Sequence, residues 1–203
     1  MKKVYKNLDY IRILSCILVL LYHLNILKGG YLLVCTFFVL SGYLAIISAF
    51  SKDFSIKEYY KNKFFKLYLP LLIVTFTTIA ISKLFINDPW LNLKPETTSI
   101  ILGYNNFWQL SVNLDYFARH INSPFMHLWY MGIILQFELV FPLIYFLFKK
   151  VSSKFKKIGS IILSSFITII FLAFFIYSSI NNGIMTTYYS SLTRIFSIFF
   201  GIT

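Results

Sequence analysis

Asp9, Arg12 and His23 stand inside one apolar run, LDYIRILSCILVLLYHL (8–24), and their types suit charge and proton chemistry. An arginine keeps its positive charge and recognises anions, whereas a histidine exchanges a proton near neutral pH. Arg12 and His23 are eleven residues apart. At about 100° per residue that spacing overshoots three turns by only about 20°, with a rise of about 16 Å. A helix over this run therefore carries both on one stripe, one near each end. Ionisable groups in an apolar span are costly and commonly mark a pathway or a site. The blander reading is an arginine that snorkels to the headgroups and a histidine that hydrogen-bonds between helices. Ser41 in LSGYL is a hydroxyl that reads either as a nucleophile or, with Gly42, as a close-packing device. His127 and Trp129 open a later apolar run, each as an interfacial anchor or a site residue, with Trp129 read first as an anchor. His120 reads as a solvated loop residue. No two of the three histidines share a local ligand spacing, so no metal site is expected.

The elements that must hold these groups follow from composition. With 58% hydrophobic and 13% charged residues, the chain is far from the balance of soluble domains. A mean hydropathy of +0.73 agrees. The expected fold is all-α: a polytopic bundle of membrane helices near 9–27, 31–50, 67–87, 127–148 and 158–180, with a sixth beginning near 192. Lys2, Lys3 and Lys6 before an apolar run resemble a signal peptide, but Arg12 and His23 inside it and a second span close behind argue for a retained helix. The net charge of +12 does not point to nucleic acid. Its lysines cluster before the first helix, in 51–66 and in 149–157, which fall on one side if the spans alternate. By the positive-inside rule that side is cytoplasmic, and 88–126 lies outside. Within 88–126, IILGYNNFWQLSVNLDYFA (100–118) is apolar and aromatic without room to cross, so it reads as interfacial or re-entrant. Cys16 and Cys35 both fall in spans and read as packing residues.

Several segments in order carry a resemblance. They are Arg-x10-His on the first helix, FFVLSGYL (37–44), YYKNKFFKLYLP (59–70), SPFMHLWYMGIILQFELVFPL (123–143) and YYSSLTRIFSIFFG (188–201). Together they resemble the acyltransferase 3 family, membrane proteins that O-acylate cell-surface carbohydrates in bacteria. NNFWQLSVNLDYFARHINSPFMHLW is similar to the variants that acetylate peptidoglycan. Two departures stand out. Where the family commonly has Arg-x-x-Arg, this chain has Lys63-Phe-Phe-Lys66, which keeps charge and loses the bidentate fork. The acidic residues of the family's Ser-Leu-x-x-Glu-x-Gln-Phe segment align with Ile134 and Leu135, leaving Gln136, while Glu138 follows about one turn beyond position 134. Glu138 is either the replacement carboxylate or an unrelated interior group.

The resemblance implies a membrane domain over 1–203 that corresponds to the N-terminal part of a longer one, because family members have about ten spans. It implies no bound cofactor, acetyl-CoA or another acyl-CoA as donor, a glycan hydroxyl as acceptor and the bacterial cytoplasmic membrane as location. The remaining helices, or a separate acyl-transferring domain, are implied as partners. Arg12, Lys63 and Lys66 are expected at the donor's phosphates. His23 is expected as base or transient acyl carrier, with Arg12 and Glu138 counted beside it as catalytic. Ser41, His127 and Trp129 are expected near the acceptor. Two other classes stay open: a transporter or flippase, which also places charge on inward stripes, and an inactive fragment or non-catalytic membrane partner.

Overall fold

The computed structural model describes residues 6–24, 26–51, 53–85, 93–112 and 123–203, and these form helices with no strand among them. The first expected span forms α1 (Lys6–His23), which carries Lys6, Asp9 and Arg12 in its 18 residues. A tight turn follows. Gly29 adopts φ +82°, and a Cβ on Gly30 would lie 2.6 Å from the Tyr22 Cβ, so glycines let the chain fold back directly against α1. A short 3-10 segment, Gly30–Leu33, then leads into α2 (Val34–Phe50).

The next helix starts earlier than the expected 67. Ser55 caps α3 (Ile56–Lys63) by accepting from the Glu58 amide, the Ser-x-x-Glu arrangement that satisfies a helix start. A π-helical segment, Phe64–Tyr68, joins α3 to α4 (Leu69–Phe85). Two short helices follow, α5 (Leu93–Ile101) and α6 (Asn105–Ser111). After Met126–Leu128 comes the long α7 (Trp129–Asn181), then α8 (Ile184–Tyr189) and α9 (Ile195–Ile202).

Among the described residues, three stretches are long and apolar enough to cross a membrane: Gly30–Phe50, Ile56–Leu84 and Met126–Asn181. The third is not one rod. Lys156 has φ 58° and ψ −163°, and Ser160 Oγ donates to the Phe148 carbonyl at 3.5 Å. Twelve residues of unbroken helix would separate those positions by about 18 Å. The chain therefore reverses near Lys156 into a hairpin with a basic tip, in keeping with the two runs expected on either side of 149–157.

The densest packing joins α2 to α9. Phe38, Gly42, Ala45 and Ala49 make a buried seam on α2. A Cβ on Gly42 would sit 2.0 Å from the Ile198 carbonyl oxygen, and one on Gly201 would sit 2.0 Å from that of Val39. Backbone meets backbone here, which only glycine permits, so the Ser-Gly of LSGYL is used for close packing through Gly42. Gly42→Ala or Gly201→Ala is expected to push the helices apart and lower thermal stability in detergent by about 1–3 kcal/mol. An unchanged melting temperature in both variants would refute this contact.

Of the expected re-entrant or interfacial segment, 100–112 is described and 113–118 lies outside the described residues; its helix α6 docks on α7, and α5 packs on α6. Gly132 allows the approach, since a Cβ there would lie 2.9 Å from Asn106 Oδ1. Asn105, Asn106 and Gln109 are buried, so the polar face of α6 is enclosed by protein. Gln136 ties the group together: its Nε2 donates to Asn106 Oδ1 and Gly103 O, both at 2.9 Å, and its Oε1 accepts from Ser191 Oγ at 2.6 Å. Glu96, on α5, is 1% exposed and accepts from the Ser123 hydroxyl. Burial pushes its carboxyl up to about 7 from an ordinary 4.5, against the opposing Ser123 hydrogen bond. Folding thus holds a proton that the unfolded chain releases. That contribution is fully present below about pH 4.5 and is lost as pH rises to about 7, at no more than about 1.4 kcal/mol per pH unit. Glu96→Gln is expected to flatten the stability profile across this window. An unaltered pH slope in the variant would assign the dependence to other groups.

Candidate active site

One face of α1 carries His23 into a cavity that Arg12 does not line. Cys16, Val19, Leu20 and His23 recur at helical intervals and line a cavity of about 280 Å³, closed by Val34 and Phe37 of α2 and by His127, Trp129 and Tyr130. Arg12 extends the same face one turn below Cys16. His23 is the last residue of α1 and His127 lies in the short helical turn that opens α7. The two imidazoles meet across the cavity edge with ring centroids 4.1 Å apart and planes at 51°. Tyr22 supports them, its ring 5.2 Å from His23 and 5.5 Å from Tyr31.

Two imidazoles in contact can divide proton work, one accepting a proton while the other fixes its orientation. The cavity around them is mostly apolar, which strengthens electrostatic interactions with any group that enters. Trp129 does not sit in an interfacial belt, as its first reading expected. It is 1% exposed, its ring 4.6 Å from Tyr188 and 6.1 Å from Phe38, and it forms the inner wall of the cavity.

Glu138 lies elsewhere. It is eleven residues beyond His127, about 16 Å further along α7. There it pairs with Lys63 and accepts a hydrogen bond from the Tyr59 hydroxyl. Tyr59 stacks on Phe141 at 5.2 Å, and the Tyr60 hydroxyl donates to Leu139 O at 2.7 Å, so α3 is pinned to α7 by this whole group. Lys66, three residues after Lys63, is exposed on the π-helical segment and makes no ion pair among the described residues. Arg12 is exposed and pairs with Asp9 at 3.0 Å on its own helix. Ser41 is half-buried two turns beyond Val34, away from the histidines. The structure thus joins His23 to His127 and Lys63 to Glu138, and it separates those two centres. His120 lies outside the described residues.

One group escaped the reading of single residues. Arg194 on the loop before α9 is 6% exposed, with its guanidinium carbon 5.0 Å from the Tyr188 ring centroid and 5.4 Å from that of Trp129. The segment YYSSLTR carries it, but nothing in the local pattern reveals that a charge sixty-five residues from Trp129 packs against its indole.

Comparison with known proteins adds to this geometry. A family model described as an acyltransferase domain, of the acyltransferase 3 type, matches residues 5–203. A Staphylococcus aureus (strain COL) protein with a provisional O-acetyltransferase name is 32% identical over 204 residues, covering 97% of this chain and 33% of its own length. The O-acetyltransferase OatA of Staphylococcus aureus (strain NCTC 8325 / PS 47) is 33% identical over 145 residues, or 68% of this chain and 24% of OatA. The chain spans about a third of the length of the first of these relatives. No solved structure matches. With the family match running over almost every residue and the same Arg-x10-His helix at its start, this chain belongs to the acyltransferase 3 family of membrane proteins.

Proposed function

We propose that this chain is the membrane part of an O-acyltransferase that moves an acetyl or similar acyl group from cytoplasmic acyl-CoA to a hydroxyl of a cell-surface glycan, peptidoglycan or another polysaccharide. The observation that carries the reading is the contact between His23 and His127 at the mouth of a largely apolar cavity. Family membership and two relatives with O-acetyltransferase names support it. The chain then crosses the bacterial cytoplasmic membrane several times, N-terminus inside, so that Arg12 and the basic 51–66 segment face the donor and His23 faces the acceptor.

In this scheme the acceptor O–H gives its proton to an imidazole of the pair as the oxygen attacks the acyl carbonyl carbon. A C–O bond forms, the thioester C–S bond breaks, and the departing thiolate takes up a proton. His23 is the base and His127 holds it in the reactive orientation. Arg12 and Lys66 attract the donor's phosphates, while Lys63 is engaged by Glu138. The test is acetyl transfer by the complete protein in vesicles, with labelled acetyl-CoA supplied to one face and glycan to the other. Transfer that persists when the donor is confined to the glycan side would overturn the arrangement. Export of glycan without acyl donor would favour a flippase.

Because Lys66 is exposed, its contribution to donor binding is screened by salt. Lys66→Ala is expected to weaken donor affinity about two- to five-fold at low ionic strength and less in about 0.5 M salt. Equal weakening at both would assign Lys66 a role in folding or insertion.

A further inference from the structure

Arg194 is a buried cation whose charge no described group balances. Its Nε donates to Tyr188 O at 3.1 Å and its Nη1 reaches Cys35 Sγ at 3.6 Å, a weak acceptor. Among the described residues no carboxylate pairs with it. Three aromatic rings face the guanidinium, those of Tyr188, Trp129 and, at 5.9 Å, Phe175. Such contacts offset part of the cost of burying a charge, and an anion offsets far more. Arg194 borders a cavity of about 230 Å³ walled largely by aromatic and aliphatic side chains. The guanidinium's Nη2 makes no hydrogen bond among the described residues, and with the second hydrogen of Nη1 it can offer a carboxylate in the cavity two parallel N–H groups.

The position of this cavity narrows what the carboxylate belongs to. Val34 and Trp129 line both it and the cavity of the histidine pair, so the two are lobes on either side of one indole. A group held by Arg194 is therefore displaced from the imidazoles and is not the reacting hydroxyl. It is close enough to be another substituent of the same sugar or its neighbour. Both lobes lie at the His23 end of α1, the end remote from Arg12, as the ring contacts running from His23 through Tyr22 and Tyr31 to Tyr188 show. The donor's phosphates are expected at the other end.

We infer that the Arg194 lobe is an acceptor subsite that binds the carboxylate of an acidic sugar, with the sugar face laid against the Trp129 and Tyr188 rings. The inference rests on the proposed acyl transfer to a glycan and adds to it the class of acceptor. A glycan that lacks a carboxylate leaves Arg194 buried without a counter-charge and binds less well.

The test is binding of methyl glucuronide, its methyl ester and methyl glucoside to the purified chain in nanodiscs, read by ligand-observed NMR without any acyl donor. The acid is expected to bind about ten-fold or more tightly than the ester, the range of a charge-assisted pair. Arg194→Gln should abolish that preference and leave glucoside binding unchanged, and Arg194→Lys should retain part of it. Equal binding of acid and ester by the parent protein overturns the inference, and so does an acid preference that survives Arg194→Gln. The parent comparison needs no variant, so it decides even if Arg194→Gln does not fold. His23→Ala should keep the acid preference. A complete protein that prefers the acid but transfers no acyl group would refute the enzyme reading and leave the subsite standing.

Discussion

Replacing His23 by alanine in the complete protein is expected to cut acyl transfer by about 10²- to 10⁴-fold, the usual cost of removing a general base, while donor binding stays within about two-fold of normal. His23 is the only ionisable residue that α1 contributes to the cavity wall besides Cys16, and it stands against His127 at 4.1 Å. Arg12, about 16 Å away on the same helix, is too distant to share its chemistry. Removing it should weaken donor binding instead, with Arg12→Lys recovering part through charge. His127→Ala is expected to cost less than His23→Ala, because an orienting partner is lost and the base remains. The double variant should be no worse than His23→Ala alone, since groups that act as a unit are non-additive. Transfer rate and donor affinity measured side by side in nanodiscs separate these roles. A His23→Ala protein with normal transfer would sink the catalytic reading and leave His23 as a packing residue.

Why His23 was legible and Arg194 was not is a matter of range. Arg12 and His23 lie on one helix, and helical periodicity converts their spacing directly into a shared face. The same local rule locates the basic hairpin tip, because Lys149–Lys157 interrupts an apolar run too long for one crossing. The meeting of His23 with His127 joins residues more than a hundred positions apart, through the glycine turn at 29–30 and the docking of α7, and no periodicity reports it. Gln136 illustrates the reverse case. Alone in an apolar helix it is an anomaly, and its meaning emerges when Asn106, Gly103 and Ser191 supply its hydrogen bonds. The early start of α3 was hidden because its residues are polar. Its stability comes from the Ser55 cap and from rings stacked on α7, so hydropathy alone places the helix start too late.

The pairing of Lys63 with Glu138 leads to the second large effect. Both were candidates for chemistry, yet the structure gives each the other as partner, with Tyr59 also donating to the carboxylate. The two side chains are unequally buried, Lys63 being 31% exposed and Glu138 7%. Lys63→Ala leaves a buried carboxylate with only a phenol for support, and it is expected to cost about 3–5 kcal/mol of stability. Glu138→Ala leaves an ammonium on a flexible stem that reaches solvent, so it should cost less. Replacing both, as Lys63→Met with Glu138→Leu, removes the charges together and is expected to recover most of the loss, because a buried ion pair contributes little beyond an apolar pair of similar volume. Thermal unfolding of the parent, Lys63→Met, Glu138→Leu and the double variant in one detergent completes the double-mutant cycle, with the two alanine variants measured beside it. Additive losses, or a larger loss for Glu138→Ala than for Lys63→Ala, would show that the pair does not act as a buried unit. The same double variant also decides the chemistry. If it folds and still transfers acyl groups at a near-normal rate, the carboxylate of Glu138 anchors α3 to α7. If it folds and transfer is lost, the charged pair serves the reaction, and Lys63→Met and Glu138→Leu taken singly tell which member does.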